Sequence, residues 1–363
     1  MALAVGLAIG FALPLPEPGS ASASAPAHAI ATRWSTPIAS GPYAIASDGE
    51  GSIVTTNLGA VVALDRTGHR VWQLTITTNP PAPAIDGDAV VLGGDGRLWG
   101  VERSTGSERW TRAFDDQAER VVAAGGTAVV KGLEGDVEVL DTATGTTRWR
   151  FDGPGAVQGE PVVDASTGSV LLVARAEVGP VLHVFDAVTG AQRWERQLDW
   201  FVATPVVSEG RVFVAEGDGH FHAVVIAVDL ESGERRWASQ VRASFEPGIV
   251  PAADDRVLVV IDHYGHLTAL DPADGAYRWE RDLDETVLDT RVVLTERRLT
   301  VSTAAKDVAV LDRFTGRVVS RRSALQVDGW AVDLRAAAFA GRDHVVAAIR
   351  LGVHPRVEVW RVA

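Results

Sequence analysis

A tryptophan-terminated phrase that returns about every 40 residues, β-rich runs with glycine turns between its copies, and no 3.6-residue apolar period predict one fold class. It is all-β: an eight-bladed β-propeller of four-stranded antiparallel blades, with the N-terminal strand closing the last blade. The phrase is an apolar pair, an acid, a glycine turn and then tryptophan. Its copies are ALDRTGHRVW ending at Trp72, GVERSTGSERW at Trp110, VLDTATGTTRW at Trp149, VFDAVTGAQRW at Trp194, AVDLESGERRW at Trp237 and ALDPADGAYRW at Trp279. Successive tryptophans stand 38, 39, 45, 43 and 42 residues apart. A seventh copy, VLDRFTGRVVS, keeps Asp312 and Gly316 but carries Ser320 where the tryptophan is expected, a further 41 residues on.

Residues 204–241 show how one period encodes four strands. PVVS, then RVFVA, then AVVIAVD are separated by turns at Glu209-Gly210 and through Gly217 and Gly219, and a last strand carries Trp237. Between the third and fourth strands Asp229 can accept hydrogen bonds from the turn backbone, and Gly233 can take positive φ. An indole recurring once per blade suits the wedge between neighbours, where it buries up to about 250 Å². Residues 331–362 supply only three further strand-like runs. Trp34, 38 residues before Trp72, has the phase to supply the missing fourth strand from residues 31–38. Trp34, Trp72, Trp110, Trp149, Trp194, Trp237 and Trp279 are therefore assigned to packing between blades, and the N-terminal strand protects two otherwise open sheet edges.

Composition bounds the partners. A net charge of −13 without a basic block argues against nucleic acid and anionic membrane surfaces. Cysteine is absent, which removes disulfides, thiolate chemistry and cysteine-linked lipid. Residues 1–15 are apolar and too short to span a bilayer comfortably; Ala27-His28-Ala29 offers a cleavage pattern, although no Lys or Arg precedes Arg33. The expected organisation is a signal peptide or apolar segment with linker over 1–30 and a propeller over 31–363. The expected location is extracytoplasmic, with membrane contact only through an uncleaved N-terminus, and the expected oligomeric state is monomeric.

The spacing A-x-D-x-x-x-G-x-x-x-W, unchanged over 227–237 and 269–279, resembles the tryptophan-docking motif of PQQ-like (pyrroloquinoline quinone) propeller repeats, over nearly all of 31–363. The resemblance implies two branches: quinoprotein dehydrogenases that bind the quinone and calcium, and non-catalytic propellers such as the barrel-assembly scaffold of bacterial outer membranes. The dehydrogenases are usually much longer. Many carry an adjacent cysteine pair beside the quinone, a Glu and an Asn on calcium, and an Asp base. Here there is no cysteine, and asparagine occurs only at Asn57 and Asn79, in contexts that match no calcium ligand. No catalytic residue carries over and no cofactor is expected; PQQ with calcium, or a divalent metal, belongs to the alternative reading of an oxidoreductase acting at the channel mouth.

Two clusters could carry function, both on the face where the second-to-third turns and the blade-to-blade loops open. The first joins Asp115, Asp116, Glu119, Glu160, Asp199, Trp200, Phe201, Glu246, Asp284, Glu285, Asp328 and Trp330. Acids beside aromatic anchors suit a basic or extended peptide or protein partner. The second is His220, His222, His263 and His266, accompanied by Asp218 and Asp262, whose imidazoles and carboxylates suit a divalent ion where they converge. Ordinary solvated turns contain the same residue types. No nucleophile elbow, zinc-protease helix, Walker loop or EF-hand loop occurs.

Overall fold

The computed structural model describes residues 30–362 except 77–79, 154, 200, 218–221, 244–248, 288–291, 304–306, 324–331, 340–343 and 352–354. All its regular elements are antiparallel strands, arranged as the four-stranded blades of a propeller. The Trp72 sheet is representative: Pro42–Asp48, Gly51–Thr56, Ala60–Asp65 and Arg70–Thr75 lie side by side in chain order. The middle strands are buried on both faces and built of Val, Ile, Leu and Ala, while the outer strand alternates. Apolar clusters sit between sheets. Phe213, Val225 and Ala227 of one pack with Leu258, Val260 and Leu270 of the next, and Leu171 and Leu182 pack with Val212 and Ile226. Burying each such side chain contributes about 1.5–3 kcal/mol, so the junctions are the core.

Among the described residues hydrogen bonding joins the strands into seven sheets, because one sheet has seven strands. The long strand Glu108–Ala124 pairs through its first half with Asp95–Glu102 and through its second with Thr127–Gly132. Its sequence contains neither glycine nor proline, so nothing breaks the extended chain where one blade passes into the next. In the Trp237 sheet Pro205 interrupts the innermost strand instead, leaving Phe201–Val202 and Val206–Ser208 as two pieces along Arg211–Gly217.

The series of sheets returns on itself. Ile30–Pro37 is the outermost strand of the sheet formed by Val332–Phe339, His344–Leu351 and Arg356–Val362, with Ile30 opposite Val362 and Pro37 opposite Arg356. Val332–Phe339 lies against both Pro42–Asp48 and Val293–Leu294, which joins the last sheet to its neighbours on either side.

Each of the tryptophans assigned to packing between blades reaches the turn of the next copy of the phrase along the chain. The Nε1–H groups of Trp34, Trp72, Trp110, Trp149, Trp194, Trp237 and Trp279 donate to the carbonyls of Arg66, Arg103, Thr142, Ala187, Leu230, Pro272 and Arg313, at 2.7–3.2 Å. Every acceptor is the residue after the phrase acid. The indole faces the turn glycine, at positive φ: a Cβ on Gly190 would stand 2.7 Å from Trp149, and one on Gly233 2.8 Å from Trp194. Ser320 has a physical reason. Its counterpart turn would join Arg356–Val362 to Ile30–Pro37, which are paired but not consecutive in the sequence, so no hairpin turn links them to receive an indole.

The acid has a second partner that the phrase also encodes. Asp186 accepts from the backbone of Thr189 at 2.9 Å and Val188 at 3.1 Å, and its other oxygen takes Arg193, the residue before Trp194, at 2.9 Å. Asp141–Arg148, Asp229–Arg236 and Asp271–Arg278 repeat the pair at 2.6–2.8 Å. The turn N–H of Thr189 and then the Arg193 guanidinium hold the Asp186 carboxyl well below the usual carboxylate range, and Arg236 with the Ser232 N–H does so for Asp229. A depressed folded pKa contributes stability that is present above the unfolded value, about 4, and is lost as pH falls below it. The melting temperature is therefore expected to hold from neutral pH down to about pH 5 and to fall below about pH 4, with a shallower acid decline in Asp186→Asn. An equally steep decline in the variant would remove this turn from the account.

A further latch is invisible in the phrase. Arg103 pairs with Asp48, Thr142 Oγ1 donates to Asp86 at 2.9 Å, and Arg313 pairs with Asp254. In each case the residue after the phrase acid reaches back to the turn between the first and second strands of the preceding repeat.

Candidate functional site

The second-to-third turns and the blade-to-blade loops share one face, as the antiparallel order requires. Three neighbouring loops there are fixed to one another. Asp116 accepts from the Glu134 N–H at 3.0 Å and the Gln117 N–H at 2.6 Å. Gly132 packs against the Asp116 side chain, Gly135 against Ala156, and Gly155 against the backbone of Arg175, so that a Cβ at any of the three would collide. The outcome is a ridge running from Asp116 to Arg175. Two apolar side chains stand out from it, Leu133 at 63% exposure and Val178 at 76%. Exposed carboxylates flank them at Asp115, Glu134, Asp136, Asp152 and Glu177.

Other acids singled out from the sequence take cationic or backbone partners. Glu119 pairs with Lys131 at 3.0 Å, and Glu160 with Arg120 Nε at 3.0 Å. The Arg120–Glu160 pair faces a cavity of about 320 Å³ between the innermost strands, walled by Ile45, Ala46, Pro83 and Val122. The Asp199 N–H donates to Glu216 at 3.2 Å, and burial pushes the Glu216 carboxyl above its ordinary range. Further round the ring, Asp284 adopts φ 56° with its N–H on Asp282, and Glu285 accepts from Arg321 at 2.6 Å. Asp115, Asp116, Glu119 and Glu160 thus share one sector, and Asp284 with Glu285 lies in another. Trp200, Glu246, Asp328 and Trp330 fall outside the described residues; for Phe201 only the backbone is described, opposite Gly217.

The histidines divide in the same way. His220 lies outside the described residues, and His222 is described as backbone alone, paired with Arg242. His263 packs edge-on against Tyr264 with ring centroids 5.8 Å apart. His266 lies between two carboxylates, Nδ1 at 2.9 Å from Asp262 and Nε2 at 3.0 Å from Asp282, so both ring nitrogens are engaged. Among the described residues no three His, Cys, Asp or Glu side chains are grouped to hold a metal ion.

Sequence reasoning missed the apolar tips. Leu58, Leu133, Val178 and Tyr264 each occupy a second-to-third turn and are exposed. A signal existed, since Asn-Leu-Gly, Leu-Glu-Gly, Glu-Val-Gly and His-Tyr-Gly each put a large apolar residue in a glycine turn where polar residues are usual.

Comparison with known proteins agrees with this architecture. The curated outer membrane protein assembly factor BamB of Burkholderia pseudomallei (strain K96243) is 28% identical over 302 residues, 74% of each chain. The crystal structure of BamB from Moraxella catarrhalis superposes with a TM-score of 0.69 at 20% identity, covering 92% of this chain and 97% of that one. The C-terminal WD40 domain of Sif2 gives 0.71 at 10% identity, over 92% and 98%. A quinohemoprotein alcohol dehydrogenase from Pseudomonas putida HK5 gives 0.61 at 13%, over 92% and 76%. At such identities the structural likenesses establish the fold alone. The family model described as outer membrane protein assembly factor BamB matches residues 31–134, 133–244 and 222–350, and with its tryptophan-docked PQQ-like repeats the chain belongs to that family.

Proposed function

We propose that this protein is an extracytoplasmic, non-enzymatic scaffold that holds a protein or peptide partner on the face of the second-to-third turns, in the assembly of outer-membrane proteins. The sheets are read as eight blades, the seven-stranded one counting as two joined through Glu108–Ala124. Family membership supports the assembly role, because the matching relatives are named assembly factors. The observation that carries the binding face is the fixed ridge with Leu133 and Val178 exposed among five carboxylates. Loops already locked together lose little entropy on binding, and apolar tips inside an acidic field favour a basic, partly apolar segment. Export follows the N-terminal pattern, and a monomer presents this face unobstructed. The oxidoreductase alternative has fold likeness behind PQQ with calcium, and the histidine-bearing second-to-third turns behind a divalent metal.

A photo-crosslinking residue at Val178 is expected to trap an envelope protein in cells, whereas one at Val188, on the opposite face, traps none. Combining Leu133→Ser with Asp115→Asn should cut the Val178 adduct about tenfold, as loss of more than 1 kcal/mol at an anchor implies. Equal adducts from both positions, or an adduct indifferent to the double substitution, would sink the assigned face.

A further inference from the structure

Of the 34 basic side chains in the sequence two are lysine, and one of them, Lys131, is buried, with 9% of its side chain exposed. Its ammonium meets Glu119 Oε2 at 3.0 Å and donates to the Gly159 carbonyl at 3.2 Å. A β-bulge turns Glu119 toward it: Lys131 lies opposite Arg120 and Gly132 opposite Ala118, so Glu119 is the extra residue. Arg120 completes a circuit, because Nη1 donates to the Glu119 carbonyl at 3.0 Å and Nε to Glu160, the residue after Gly159, at 3.0 Å. Gly159 is itself confined, at φ 66° and with no room for a Cβ, which would stand 2.8 Å from Thr204 Oγ1.

Two sheets meet in this circuit. Thr127–Gly132 leads directly into the turn that carries Leu133, and Val157–Asp164 belongs to the sheet whose second-to-third turn carries Val178. The exposed tips of the ridge thus stand on different sheets, and Lys131, two residues before Leu133, ties one sheet to the innermost strand of the other. Packing of Gly135 on Ala156 limits how closely the turns approach. A charge-assisted hydrogen bond also limits how far they part.

We infer that Lys131 is a positioning residue of the partner site, setting the spacing at which Leu133 and Val178 meet one and the same partner segment. The inference rests on the ridge being the binding face. A compact ammonium with three donors can bridge a carboxylate and a carbonyl inside a junction, where the planar fork of arginine cannot take its place. Lys131 also neutralises Glu119, which leaves the acidic field to the exposed carboxylates around the tips. The segment that fits carries two apolar side chains, one for each tip, with basic residues among them.

The chain has no cysteine, so Glu134→Cys with Glu177→Cys places spin labels beside the two tips alone. Double electron–electron resonance then reads their separation in the parent, in Lys131→Met, and in Glu119→Gln with Lys131→Met. A single narrow distance is expected for the parent, and a second, longer component in both variants. In the same two backgrounds, without the labels, a photo-crosslinker at Val178 should give about tenfold less adduct per folded molecule than in the parent, as loss of one anchor implies. The double variant is decisive, because it leaves no buried charge unpaired and so stays folded while the Gly159 carbonyl goes unheld. The inference is overturned if the double variant regains the parent separation and adduct, since Lys131 would then only balance a buried charge, or if both variants match the parent. Absence of a Val178 adduct from the parent itself would instead fell the ridge as the binding face, a result independent of Lys131.

Discussion

Trp279→Ala is expected to lower the unfolding free energy by about 3–5 kcal/mol, the range for removing a buried aromatic side chain. Trp279 is nearly sealed and packs with Leu299, Val301 and Leu311 of the following sheet. The substitution also leaves the Arg313 carbonyl without its indole donor. Urea titration should show a lower midpoint with the slope unchanged, provided unfolding stays two-state. Trp279→Phe separates the two contributions, since it keeps much of the apolar contact and forfeits the hydrogen bond, worth about 0.5–1.5 kcal/mol. If alanine and phenylalanine prove equally mild, these indoles do not hold the blades together.

Gly233→Ala should be nearly as damaging, at about 2–5 kcal/mol, for two reasons that add. The residue sits at φ 73°, where a Cβ is strained, and that Cβ would stand 2.8 Å from the Trp194 ring. Gly210→Ala is the matched control. Its φ of 69° is similar, but nothing lies within 4 Å of the added carbon, so only the conformational cost of about 1–2 kcal/mol remains. The difference between the two measured losses isolates the pressure on the indole. Equal losses would mean that Trp194 yields freely and the turn alone sets the conformation.

Much of this was legible because the repeat states the local chemistry seven times. The acid, the glycine and the tryptophan are close in sequence, and their roles follow from turn geometry and ring size. The Asp186–Arg193 pair was equally available in the phrase, since an arginine stands before most of its tryptophans, yet hydrogen-bonding capacity in the turn alone accounted for the acid. The latches from Arg103 to Asp48 and from Arg313 to Asp254 join residues more than fifty positions apart, and no local pattern announces them. The rim was read by residue type, which does not reveal that Glu119 and Glu160 are paired with Lys131 and Arg120. Nor did strand propensity foresee the unbroken Glu108–Ala124, where the decisive signal was the absence of a breaker.

The junction without an indole has a kinetic meaning. Ile30–Pro37 finds its place only beside Arg356–Val362, at the other end of the sequence. Among the described strand pairs this one closes the longest loop, and the contact comes with little local help. A chain delivered from its N-terminus, whether by a ribosome or through a membrane, carries Ile30–Pro37 without this partner until Arg356–Val362 arrives. Until then the free edge is open to mispairing, and synthesis or translocation, rather than packing of the individual sheets, sets the earliest moment at which the protein can become a single cooperative body.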